Sequence, residues 1–107
     1  MTDFLHVANG HSTTQTLEAA GVPGRTEVWA DVLYEGPVPA DLDDEALLRL
    51  RAAFLAGEAH PVEGVTADLR RWRRVIDDSS QYDELVLWFE HDLFDQLNLI
   101  QILSRLS

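Results

Sequence analysis

The chain contains no cysteine, no lysine and no apolar run long enough to cross a membrane. Without cysteine it can form neither a disulfide framework nor a thiolate metal site, which suits a reducing cytosol. Its amino-terminal residues lack the basic stretch and apolar segment of an export signal. An apolar span of about 18 residues, the minimum for a membrane helix, is also missing. These absences predict a cytoplasmic protein that does not associate with membranes.

Positive charge is scarce as well. Eight basic residues, all of them arginine, face 19 acidic residues, and the formal net charge is -11. Such a chain repels phosphate backbones and anionic lipids, so the composition argues against binding of nucleic acid. A length of 107 residues predicts one small domain with a single hydrophobic core.

Strand-like and helix-like segments alternate along the chain. Apolar runs predict strands at residues 4–8, at 27–30 with an irregular continuation to 35, and at 84–92. Helical periodicity predicts helices from 13 to about 20, within 41–57, within 66–83, and from 92 or 93 to 106. The expected amino-terminal caps are Ser12, paired with Gln15 in a capping box, for the first helix and Thr66 or Asp68 for the third.

This alternation predicts an α/β fold with a short three-stranded parallel sheet flanked by helices, resembling half of a Rossmann fold. The expected strand order is 2-1-3. With that order, the loops after strands one and three flank a topological switch point, where open α/β sheets bind ligands. The continuous apolar run of strand three is typical of a strand buried on both faces.

A cluster of polar residues interrupts the apolar sequence at the end of strand three. Asp92 is placed to cap the last helix, and Asp95 lies three residues later, where its carboxylate can meet free backbone N–H groups. Glu90 and His91 are not placed as caps. They are therefore the candidate catalytic residues, with Asp92 as a further ligand-binding residue.

The loop after strand one contains the second candidate group. Asn9, Gly10, His11 and Ser12 open a helix, and the backbone N–H groups of a helix start can hold an anion. Glu35, at the end of strand two, is expected to line the same crevice from its far side.

Three chemistries fit these residues. In the first, His91 acts as a general base oriented by Glu90 or Asp92, either on a substrate or on Ser12. No Gly-x-Ser-x-Gly nucleophile elbow is present, which argues against a serine hydrolase.

In the second chemistry, His11 and His91 join one of the nearby acids to bind a divalent metal, although the spacing matches no recognised motif. In the third, Asn9, Gly10 and Ser12 hold a nucleotide or phosphate while the acids contact sugar hydroxyls. No motif identifies a reaction or a cofactor.

Three segments, "LHVANGHST", "VWADVLYEGPVP" and "LVLWFEHDLFDQLNLIQIL", resemble in this order a bacterial family catalogued as a domain of unknown function, DUF 1835. The likeness covers most of the chain, and the last segment is its most specific part. His11 stands where that family commonly has an acidic residue. The resemblance implies the front part of a longer protein and brings no established activity.

The preferred hypothesis is therefore a small-molecule or nucleotide-binding module at the ends of strands one and three. A metal- or histidine-dependent enzyme domain is the alternative. A third alternative is a protein-interaction or oligomerisation domain, because the last helix carries more apolar residues than one face can bury. That helix is expected to contact a second copy or a missing carboxyl-terminal region through Leu99, Ile102, Leu103 and Leu106. The four arginines at 70, 71, 73 and 74 are expected to form a solvated face that balances nearby acids, with an anion-binding patch as the alternative.

Overall fold

The computed structural model of the chain describes residues 3–31, 36–57 and 60–107. Their elements are β1 (Phe4–Ala8), α1 (His11–Ala19), β2 (Arg25–Val28), α2 (Asp44–Leu55), α3 (Val62–Asp77), β3 (Glu84–Trp88) and α4 (Leu93–Leu106). A short 3-10 turn, Ser79–Gln81, leads from α3 towards β3. In the stretches that the structure describes, no helix has both the length and the apolarity needed to span a bilayer.

The three strands form one parallel sheet in the order β2-β1-β3. In its register Val7 of β1 lies level with Glu27 on β2 and Leu87 on β3. The α/β fold class, the parallel pairing and the 2-1-3 order predicted from the sequence are confirmed. Strands one and three therefore end at the same edge of the sheet.

Alternation of side chains along β1 divides the sheet into two faces. Leu5 and Val7 are buried with Trp29, Ile76 and Ile102, so this face packs against α3 and α4. A second cluster, Leu48, Ala52 and Leu69, joins α2 to α3. The opposite face is covered by α1, since Thr26 of β2 donates a hydrogen bond of 2.7 Å to Glu18 of that helix. The result is a three-layer arrangement with the core on the α3 and α4 side.

His6 is a buried polar residue on the α1 face, and no sequence pattern indicates its role. Its Nδ1 lies 3.0 Å from Nε1 of Trp88, and its Nε2 lies 2.9 Å from the carbonyl oxygen of Pro23. Because an indole N–H can only donate, Nδ1 accepts from Trp88 and Nε2 carries the proton donated to Pro23. His6 thus ties the central strand to β3 and to the turn before β2.

Two predicted helix starts are wrong. Helix α1 begins at His11 with Gly10 as N-cap, so Ser12 lies inside the first turn and does not cap it. The first turn closes early because the Thr14 N–H already bonds to the Gly10 carbonyl. Helix α3 begins at Val62, before Thr66 and Asp68. The hydroxyl of Thr66 bonds back to the Val62 carbonyl, as threonine does inside a helix.

The strands also differ from the prediction in extent and burial. Strand β2 starts at Arg25 and ends at Val28, and the continuation expected to reach Glu35 runs into residues 32–35, outside the described residues. Strand β3 ends at Trp88 and lies at an edge of the sheet, with Leu87 only half-buried. The expectation that β3 is buried on both faces is wrong, because the strand order gives that place to β1.

Helix α4 spans Leu93–Leu106, as its periodicity predicted. Ile102 is fully buried in the core of the chain, so the prediction that it contacts a partner is wrong. Leu103 and Leu106 are exposed, as are Leu93 and Ile100. The helix therefore does present apolar surface to solvent. Self-association through this helix stays a prediction.

Ion pairs join α2, α3 and α4, the three helices on the core side of the sheet, to one another. Asp44 of α2 accepts hydrogen bonds from Arg105 of α4 at 2.6 Å and from Arg73 of α3 at 3.1 Å. Partial burial opposes ionisation of Asp44, but these two bonds hold its pKa below its usual value. Arg70 and Arg71 pair with acids of other elements, as the solvated-face hypothesis requires. Arg73 is instead buried.

Candidate functional site

The loops that follow β1 and β3 lie side by side at the carboxyl edge of the sheet. Asn9, the first residue after β1, donates its side-chain amide to both carboxylate oxygens of Asp95, at 3.0 and 3.3 Å. Asp95 lies in the first turn of α4, which follows β3. The predicted meeting of the two loops is therefore observed.

Asp95 has a larger role than the sequence indicated. Its side chain is fully buried, and besides Asn9 it accepts the backbone N–H of Glu90. The prediction that its carboxylate meets the N–H groups of its own helix is wrong. Asp95 instead projects from the buried side of α4 and fastens the β3–α4 loop to the β1–α1 loop.

Asp92 caps helix α4, as predicted. Its backbone is extended, with φ -70° and ψ 164°, and its carboxylate accepts the Asp95 N–H at 2.8 Å. The side chains of Glu90 and His91 are exposed. The backbone of Glu90 is nevertheless fixed, because Gln96 donates to its carbonyl at 2.7 Å. The exposed side chains of Glu90 and His91 thus belong to a loop whose backbone is fixed by hydrogen bonds from and to neighbouring residues.

The start of α1 is open by comparison. Its N-cap, Gly10, supplies no side-chain acceptor, and the first turn contains no acidic residue. The N–H groups of His11 and Ser12 therefore meet no side-chain cap within the described part of the chain. A Cβ placed on Gly10 would meet nothing within 4 Å. Free N–H groups with a partial positive charge, next to open space, are suited to an anionic or hydrogen-bond-accepting group.

Two shallow clefts lie on either side of Asn9. One has a volume of about 420 Å³ and is lined by Asn9, Asp92, Leu93, Phe94 and Asp95. The other, of about 210 Å³, is lined by Asn9, Thr13, Leu87, Trp88, Phe89 and Glu90. Asn9 lines both clefts, Asp92 lines the first and Glu90 lines the second. We call these three residues, together with the open start of α1, the carboxyl-edge site.

The structure does not bring all of the predicted residues to this surface. His11 lines another cleft, beside Glu27 and Arg71. Glu35 lies outside the described residues, so its predicted place in the crevice stays a prediction. Within residues 3–31, 36–57 and 60–107, no group of three or more histidine, aspartate or glutamate side chains is arranged to hold a metal ion. The described residues therefore give the metal hypothesis no support.

Sequence reasoning missed a buried polar group at the end of β2. Arg51 donates to the carboxylate of Asp31 at 2.7 and 3.1 Å, and both side chains are at most 1% exposed. Asn98 of α4 bonds to the backbone N–H and carbonyl of Asp31, at 3.1 and 2.7 Å. A buried charge is tolerated only when it is paired in this way. The one available signal was an asparagine and an acid inside otherwise apolar segments.

Comparison of the chain with protein-family models, with curated proteins and with solved structures finds no match in any of the three. The resemblance to DUF 1835 accordingly stays a prediction that rests on its three sequence segments.

Proposed function

We propose that the domain binds a small polar molecule, with a nucleotide as the preferred class, at the carboxyl-edge site. The observation that supports this most is the uncapped start of α1 beside a loop whose backbone is fixed and whose acids are exposed. Ligands of open parallel sheets bind at this edge, between loops whose chains run to opposite sides.

The groups at the site suggest how such a ligand is oriented. Its anionic or accepting end lies over the first N–H groups of α1, at His11 and Ser12. Glu90 and Asp92, which are exposed, accept hydrogen bonds from hydroxyl groups such as those of a ribose. The half-exposed ring of Trp88 offers apolar surface to a base.

The acids also restrict the ligand. The carboxylates of Glu90 and Asp92 repel a phosphate group that has no counterion. A ligand that carries hydroxyl groups, or that binds together with a cation, is therefore favoured. Nucleosides and magnesium-bound nucleotides satisfy this condition better than inorganic phosphate does. The same restriction agrees with a chain of net charge -11, which does not attract anions at long range.

A thermal-shift screen of the purified chain with AMP, ADP, ATP, adenosine and guanosine, with and without Mg²⁺, tests the proposal. Binding to the native state raises the unfolding midpoint by mass action. Glu90→Gln should reduce the rise, since it removes a charged acceptor from the site. Glu84→Gln is the matched control, because Glu84 is an exposed acid at the opposite end of the same strand. Absence of any shift, or an equal shift in both variants, would refute the proposal.

A histidine-dependent enzyme is the second candidate, and the exposure of His91 beside Glu90 is the observation that favours it. His91→Ala should leave the unfolding midpoint nearly unchanged because the side chain is exposed. If the chain converts a bound nucleotide, this variant should still bind it and should no longer convert it. Conversion at the wild-type rate by His91→Ala would exclude a catalytic role for the residue.

A further inference from the structure

A second cleft lies at the other end of the sheet, away from the carboxyl-edge site. It has a volume of about 170 Å³ and lies between the amino-terminal ends of β1 and β2 and the last turns of α3. Leu5, Val75 and Tyr82 give it an apolar surface, and three arginines, Arg25, Arg71 and Arg74, line it as well. We call it the arginine cleft.

Two of these arginines share a single acid. Arg71 donates to both carboxylate oxygens of Glu27, at 2.8 and 3.1 Å, and Arg25 lies 3.6 Å from the same carboxylate. Arg25 also donates to the hydroxyl of Tyr82 at 3.4 Å. Glu27 is only 8% exposed, whereas both arginine side chains are largely exposed. One buried carboxylate therefore orients two guanidinium groups that remain accessible.

The third arginine is unpaired. Arg74, in the last turn of α3, is exposed, and its guanidinium has no hydrogen-bond or ion-pair partner within the described residues. Among the described residues, the acids that line the cleft are Glu27 and Asp78, so this lining carries three positive charges and two negative ones. Such a surplus is unexpected in a chain with 19 acidic and eight basic residues. It marks the arginine cleft as a place where an anion is attracted.

We propose that the arginine cleft binds a small organic anion whose oxyanion group lies between Arg74 and Arg25 and whose apolar part contacts Val75 and Tyr82. Guanidinium groups match carboxylate and phosphate oxygens with paired N–H donors. A cleft that combines such donors with apolar surface is typical of small-molecule sites. The site is separate from the carboxyl-edge site and stands whether or not nucleotides bind there.

Carboxylates and phosphates share this chemistry, so the test uses one probe of each kind. Benzoate and inorganic phosphate are titrated into the full chain, and binding is followed by calorimetry and by backbone amide NMR shifts. We expect saturable binding at a single site, with amide shifts near Val75 and Tyr82. Stronger binding of benzoate identifies a carboxylate ligand, and stronger binding of phosphate identifies a phosphorylated one. Failure of both probes to bind at millimolar concentration would overturn the proposal.

Variants show whether the arginines are responsible. Arg74→Gln should lower the affinity about tenfold or more, because a charge-assisted hydrogen bond is lost. Arg49→Gln is the matched control, since Arg49 is an exposed arginine of α2 that pairs with Glu45 and lies outside the arginine cleft. Arg25→Gln is a second variant should Arg74→Gln not fold. Equal loss of affinity in the control and in the cleft variants would mean general charge attraction and would also overturn the proposal. Glu90→Gln should leave benzoate binding unchanged, which separates this site from the nucleotide proposal.

Discussion

The three strands end in two different ways at the carboxyl edge of the sheet. The outer strands end in buried charged groups: Asp31 after β2 is held by Arg51, and the loop after β3 is held by Asp95. The central strand ends in Asn9 and Gly10, and the helix that follows has no side-chain cap. The outer ends are built for stability, and the central end leaves backbone donors free.

This difference has an energetic meaning. A side-chain cap stabilises a helix start by about 0.5–2 kcal/mol, so an uncapped start forgoes part of that stability. Buried carboxylates follow both flanking strands: Asp31 is paired with Arg51, and Asp95 binds the Asn9 amide and the Glu90 N–H. Free N–H groups in a loop that is already ordered favour ligand binding, because little conformational entropy is then lost when the ligand binds.

The largest effect is expected at the end of β2. Arg51→Leu leaves the carboxylate of Asp31 buried without its partner, and the free energy of unfolding should fall by about 3–5 kcal/mol. The total free energy of unfolding of such a domain is on the order of 5–15 kcal/mol, so this loss is a large fraction of it. Urea denaturation followed by tryptophan fluorescence measures it. The paired variant Asp31→Asn with Arg51→Met should lose less, and a loss below about 1 kcal/mol in Arg51→Leu would show that this strand end is not closed by the ion pair.

The next largest effect is expected at Asp95. Asp95→Ala leaves the Asn9 amide and the Glu90 N–H without their acceptor, which should cost about 2–4 kcal/mol. Asn9→Ala removes only one of these bonds and should cost less. The same urea titration compares the two variants. If Asp95→Ala costs no more than loss of an ordinary helix cap, the carboxylate does not join the two loops.

Asp92 should matter less than Asp95, although both are acids of the same helix start. Asp92→Ala removes the bond to the Asp95 N–H and should cost about 1 kcal/mol, because the group is exposed and water can replace it. Asp92→Asn keeps a capping oxygen and should lie within a few tenths of a kcal/mol of the wild type. Thermal unfolding of the three chains gives the ranking. A cost for Asp92→Ala equal to that of Asp95→Ala would remove the distinction between capping and joining.

The features predicted correctly from the sequence are those with local signals. The start of α4 was predicted because an acid, Asp92, directly precedes an apolar run of helical period. The strand order followed from the alternation of elements. The first residue of α1 could not be predicted from the sequence, because glycine and serine are both common N-cap residues. In the structure the hydrogen bond from the Thr14 N–H to the Gly10 carbonyl makes Gly10 the N-cap.

The buried polar groups could not be predicted, because their partners are distant in the chain. Asp95 meets Asn9 across 86 positions, and Asn98 meets Asp31 across 67. In the sequence, an acid near a helix start looks like a cap whether it faces solvent or the interior. Asp95 lies two helical turns before Ile102, whose side chain is in the core, so both residues face the interior.

The smallest change in stability is expected at the open start of α1, where a substitution can supply the side-chain cap that this helix lacks. Gly10 has an extended φ of 174° and open space around it, so aspartate fits there without strain. Gly10→Asp should stabilise the chain by a few tenths of a kcal/mol, because its carboxylate caps the free N–H groups. The same carboxylate would occupy the donors proposed for the ligand, and nucleotide binding should fall sharply.

Gly64→Asp is the matched control for Gly10→Asp. Gly64 lies in the first turn of α3, and a Cβ there also meets nothing within 4 Å, so the substitution adds the same charge to another helix start. Calorimetric titration with the nucleotide that gives the largest thermal shift should show unchanged affinity in Gly64→Asp and reduced affinity in Gly10→Asp. Nucleotide affinity at the wild-type value in Gly10→Asp would mean that the free N–H groups of α1 do not hold the ligand, and the difference between the strand ends would then concern stability alone.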